Sequence, residues 1–133
     1  MNRIVEKTVA AAVILAGAAF AAHADSAGVT FSTGDKFSQQ TGQDIYSNLC
    51  QACHMDKGQG ATGAGAYPAL AGNETLSDAS YPIYVVLHGL RGMPPFGDML
   101  SDEQVAAVVG YVRTNFGNDY PEPVTAEEVA GAR

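Results

Sequence analysis

Apolar residues recur along the chain in windows with helical spacing, and the intervals between them are rich in glycine or proline. Thr41 is placed to cap a helix that carries Ile45, Tyr46 and Leu49 on one face, at i, i+1 and i+4, and runs directly into Cys50. Ser80 opens a second window, with Pro82 in its first turn, Ile83, Val85, Val86 and Leu87 behind it, and Gly89 and Gly92 at its end. The strongest helix signal starts at Ser101-Asp102-Glu103-Gln104, a capping box with acids in the first turn. Val105, Val108, Val109 and Val112 then repeat at i, i+3, i+4 and i+7, and Gly117 stands where a C-terminal cap belongs. A weaker box, Thr125 to Glu128, predicts a short last helix after Pro121 and Pro123. Valine and isoleucine also suit strands, but their spacing here follows the helical period rather than strict alternation. Lys57 to Gly72 holds five glycines, too many for regular structure, and is expected to wrap around something. The expectation is an all-α fold with long loops.

The first window differs in kind. Arg3 and Lys7 precede an uncharged, alanine-rich run from Thr8 to Ala22, and Ala22-His23-Ala24 then places small residues at the −3 and −1 positions before Asp25. That order is expected of a secretory signal peptide cleaved after Ala24. The rival reading, a permanent anchor, needs about 20 apolar residues, more than this weakly hydrophobic run supplies. No cysteine stands near the junction to carry a lipid. The expected organisation is therefore residues 1–24 as signal, 25–40 as a polar, loose arm, 41–118 as one domain and 119–133 as a tail with a short helix.

Charge narrows the partners. The 133 residues include 7 Lys and Arg against 14 Asp and Glu, a formal net of −7 and a pI near 4.6. Nucleic acid is excluded as a partner, because phosphate binding needs basic clusters. Without Arg3, Lys7 and Glu6 the remaining chain keeps 5 basic and 13 acidic side chains, a formal −8. Two cysteines are too few for a multi-bridge scaffold, and a domain this small leans on a cofactor or metal.

The chemistry concentrates in Cys50-Gln51-Ala52-Cys53-His54. Two thiols three positions apart, followed at once by an imidazole, form the attachment pattern of a c-type haem. On a helical turn both sulfurs can reach vinyl groups of one porphyrin, and the adjacent His54 then supplies a ring nitrogen to the iron. A redox-active Cys-x-x-Cys calls for a βαβ setting, which the sequence lacks. A zinc site calls for further ligands, and His88 alone is left to help.

With these residues in hand, the chain resembles a class I c-type cytochrome over most of the span from Gln43 to Gly117. Pro68-Ala69-Leu70, Gly92-Met93-Pro94-Pro95-Phe96 and the capped helix with Tyr111-Val112-Arg113 also match. The resemblance implies a small cytochrome c fold, helices and loops wrapped around one covalent haem c. Met93 follows His54 between turn-forming stretches and is the expected sixth ligand, a soft thioether that raises the reduction potential; Met99 and His88 are its rivals. By the resemblance, the Pro68 carbonyl accepts the other N–H of His54 and Leu70 packs on the same side; the plain reading is a loop proline and a core leucine. Gly110 and Tyr111 match positions where the family packs its first helix on its last.

A haem with both axial positions filled leaves no site for substrate, so the expected function is single-electron transfer rather than enzyme catalysis. Tyr67 to Gly72 and the tail Val124 to Val129 resemble cytochrome modules that serve periplasmic dehydrogenases. The expected setting is thus the periplasm, with redox proteins as partners, a dehydrogenase among them, and no membrane insertion after cleavage. The competing functions are a haem enzyme or gas sensor with a labile sixth ligand, and a fixed cytochrome subunit of a dehydrogenase or oxidase complex.

Overall fold

The computed structural model describes residues 32–33, 36–63 and 65–133. The expected signal segment lies outside the described residues, as does the expected arm apart from residues 32–33 and 36–40. Helices dominate, in the order α1 (Gly42–Ile45), α2 (Gln51–His54), α3 (Ser80–His88), α4 (Asp102–Thr114) and α5 (Ala126–Gly131). Antiparallel pairs of two-residue strands accompany them: β1 (Ser32–Thr33) with β2 (Lys36–Phe37), and β3 (Ala61–Thr62) with β4 (Ala66–Tyr67). The glycine-rich interval is therefore not wholly irregular, because β3 and β4 pair within it.

Thr41 caps α1 as its sequence suggests, its side chain accepting the Asp44 N–H at 3.1 Å. Between α1 and α2 the chain forms a π-helical turn, Tyr46–Cys50, in which the Gln51 N–H reaches back to Tyr46 O. The sequence pattern predicts a regular α-helix here. The wider turn admits one extra residue and re-aims everything after it, a device found at functional positions. Ile45 and Tyr46 are both buried in the core.

α4 is the spine of the domain. Both halves of the Ser101–Gln104 capping box form. Val105, Val108, Val109 and Val112 are buried, with Leu76, Ile83, Leu87, Leu100 and Val129 in the same cluster. The helix ends at Thr114, short of Gly117. Side chains take up its last carbonyls instead: Thr114 Oγ1 donates to Gly110 O at 2.9 Å and Asn115 Nδ2 to Tyr111 O at 2.9 Å. Gly117, with φ 80, serves the turn beyond rather than the cap.

Where α1 crosses α4, a Cβ on Gly42 would lie 2.2 Å from Ala107 O and 2.7 Å from Tyr111 Cβ. Ala107 and Tyr111 are one turn apart on the face turned to α1. Gly110, expected at this crossing, is rotated off that face, and a Cβ there would meet nothing within 4 Å.

Polar side chains on α4 reach segments distant in sequence. Gln104 Nε2 donates to Phe37 O at 2.9 Å and to Gln39 O at 2.6 Å, so the last residues of the expected arm are tied down and Phe37 joins the core. Arg113, 2% exposed, donates to Leu76 O, Ser77 O and Glu122 O and pairs with the Glu122 carboxylate at 3.3 Å. Carbonyls thus satisfy most of a buried guanidinium. The tail is held by the same means, with α5 capped by the Thr125–Glu128 box. Gln104→Leu should lower the free energy of unfolding by about 2 kcal/mol, since it leaves buried carbonyls and the Ser101 N–H unpaired; urea titration of the two proteins measures it.

Candidate functional site

The candidate residues start where the π turn ends. Cys50 is partly buried and Cys53 is exposed, and both are free thiols. Burial, with a smaller contribution from Cys53, pushes the Cys50 thiol up to about 12, so it is fully protonated at neutral pH. Tyr46 lies beneath, its phenol raised to about 12 by burial and then by Cys50. α2 stops at His54 because Met55 takes a left-handed φ of 67.

His54 is buried, and its Nδ1 lies 2.9 Å from Pro68 O. A carbonyl oxygen only accepts, so Nδ1 carries the proton, and in the neutral ring Nε2 is left as the free donor atom. Left-handed glycines bring Pro68 there. Gly60, with φ 66, donates to His54 O at 3.1 Å, and a Cβ on it would lie 2.3 Å from Tyr67 O. Gly58 O accepts the N–H groups of Leu70 and Ala71 at 2.7 and 2.9 Å. Leu70 is partly buried and packs against the core.

Asn118 completes this loop, and the sequence reading did not single it out. Its buried side chain donates to Leu70 O at 2.8 Å and Val112 O at 2.7 Å, and accepts the Asn73 N–H at 2.9 Å. It ties the loop carrying Pro68 and Leu70 to the end of α4. The local signal was an asparagine just past Gly117, in a stretch read as a cap.

Met93, partly buried, belongs to a different loop. Leu90 and Met93 exchange both backbone hydrogen bonds at 3.0 Å, with Arg91 at φ 55 between them. The loop folds back on α3 through Phe96 N–H to Val86 O and Gly97 N–H to Leu87 O. Gly89 is required beneath it, since a Cβ there would lie 2.6 Å from Met93 O. Of the rivals, His88 is exposed, with Nε2 2.8 Å from Ala132 O and its ring against Tyr84. Met99 is exposed, and its backbone engages Phe37 N–H and Phe96 O.

The donor set fits a covalent haem c. Its parts are two unbridged thiols and an oriented imidazole on one short helical segment, with exposed apolar side chains at Tyr67, in β4 after His54, and at Leu90, in the loop before Met93. Among the described residues no three His, Cys, Asp or Glu side chains gather as a metal-binding group, so the zinc alternative finds no ligand set. No described helix is long and apolar enough to cross a membrane.

Residues 38–112, more than half of the chain, match the family model described as cytochrome c oxidase, cbb3-type, subunit III. The gluconate 2-dehydrogenase cytochrome c subunit of Pantoea cypripedii is 37% identical over 109 residues, covering 71% of this chain and 24% of that protein. The chain thus spans about a quarter of that relative's length. Cytochrome c-552 of Thermus thermophilus is 35% identical over 120 residues, covering 75% of this chain and 79% of the relative. Among solved structures, the c-type cytochrome KustC0563 superposes with a TM-score of 0.51 at 27% identity, covering 59% of this chain and 99% of that one.

Proposed function

The chain belongs to the c-type cytochromes, in which a covalently bound haem c transfers electrons, and on that premise we propose that it carries single electrons in the periplasm, from a dehydrogenase to a downstream acceptor. The observation that carries this reading is the helical segment Cys50–His54, with its two free thiols and an imidazole whose Nδ1 is engaged by Pro68 O. Haem c attached here supplies a one-electron iron couple. Cys50 and Cys53 would hold it through their sulfurs, and His54 would offer Nε2 to the iron. The Pro68 carbonyl fixes the imidazole plane and makes Nε2 a stronger donor. Leu70 packs on the same side. Met93 would offer its thioether sulfur as the other iron ligand, with Pro94 and Pro95 stiffening its loop. With His54 and Met93 both on the iron, no site would remain for a substrate, and the chain would act as a carrier rather than an enzyme.

Met93→Ala tests the ligand set. The haem stays attached through both cysteines, the reduction potential falls by on the order of a tenth of a volt, within the roughly 0.8 V that axial ligands span, and the near-infrared charge-transfer band of the oxidised protein disappears. An unchanged potential assigns the sixth position to another residue. Absence of that band from the native protein would favour a labile sixth position, and with it an enzyme or gas sensor.

Similarity to a dehydrogenase cytochrome subunit favours a second reading, a fixed subunit rather than a free shuttle. Copurification with a dehydrogenase at moderate salt separates the two. The formal −8 of residues 25–133 directs either form toward a basic partner surface, with association that weakens as salt rises.

A further inference from the structure

Directly after His54 the backbone enters a region that glycine alone adopts freely: Met55 has φ 67 and ψ 168. A side chain is strained there, so the surrounding contacts must hold the peptide in place. They do so from both sides. Met55 N–H donates to Gln51 O at 2.8 Å, and Gly60 N–H donates to His54 O at 3.1 Å. Met55 O accepts the Gly58 N–H at 3.2 Å and the Tyr46 hydroxyl at 2.6 Å. Backbone groups make the other bonds, and Tyr46 adds a side chain from the π turn.

Tyr46 is itself immobilised. It is 1% exposed, and its ring packs against Phe116 with centroids 4.7 Å apart and against Tyr111 at 5.7 Å. The hydroxyl therefore meets the Met55 carbonyl from a rigid base.

We propose that Tyr46 is a positioning residue for His54: its hydroxyl holds the strained Met55 peptide and thereby fixes the end of α2 that carries the imidazole. This rests on His54 as an axial ligand, the reading given above.

A double-mutant cycle of Tyr46→Phe and Met55→Gly in the haem-loaded protein tests it. Phenylalanine keeps the aromatic packing and removes only the hydroxyl. Glycine relieves the strain and leaves the hydroxyl less to hold. Tyr46→Phe alone should lower the folded-to-unfolded ratio about tenfold, and in the Met55→Gly background by about threefold or less. In the same samples, the paramagnetically shifted ring-proton resonances of His54 should move in Tyr46→Phe and return in the double variant. Additive stabilities overturn the proposal, and so do unmoved ring resonances. Failure of the ligand reading is distinguishable, because the native protein would then show no such shifted His54 resonances at all.

Discussion

Cys53→Ala, produced in a host competent for cytochrome maturation, should lose most of its covalently loaded haem while its polypeptide still accumulates. Cys53 is the cleaner of the two thiols to remove. It is exposed, so alanine leaves no cavity in the core. Cys50 is partly buried and packs against the core, so its replacement mixes lost attachment with lost packing. With a single thioether, retention would rest on Cys50 and on the bond from His54 to the iron. Haem-staining of a denaturing gel, normalised to total protein, reads the effect directly. Undiminished staining in Cys53→Ala would show that attachment does not use this sulfur.

Gly42→Ala should damage the domain badly, although it adds a single methyl group. The added carbon would sit 2.2 Å from Ala107 O and 2.7 Å from Tyr111 Cβ. Neither neighbour is the free end of a flexible side chain, so α1 must move off α4. Overpacking of this kind costs about 3 kcal/mol, which lowers Tm by about 15 °C for a domain of this size. Gly110→Ala is the matched control. It has open space and a helical backbone, and alanine there should add up to about 1 kcal/mol of stability. Equal melting temperatures for the two variants would mean that the crossing is not the close contact described.

These positions also show how much of the molecule could be read in advance. Helix starts were legible, because Thr41, Ser101 and Thr125 act within one turn of themselves and the chemistry of a cap is local. The end of α4 was not, because Gly117 competes with side-chain caps from Thr114 and Asn115 whose geometry leaves no distinct spacing. The π turn likewise has no periodic signature in Tyr46 to Cys50. Gly42 and Gly110 look alike in sequence, and only the crossing separates them. At the site, the attachment motif was plain because its residues are contiguous. Pro68 entered through family resemblance alone, since its place beside His54 depends on left-handed Gly58 and Gly60. Asn118 went unnoticed for a similar reason: it joins Leu70 and Asn73 to α4 across more than forty positions.

The reach of Gln104 has a bearing on the order of events as the protein is made. Its amide meets Phe37 O across 67 positions, and the seat for α1 is likewise provided by α4. Contacts so far apart close late. A chain emerging N-terminus first therefore presents Cys50 and Cys53 well before the valine-lined helix arrives to dock. During that interval both sulfurs lie within reach of the maturation machinery, whereas the finished fold leaves Cys53 exposed and draws Cys50 partly into the packing.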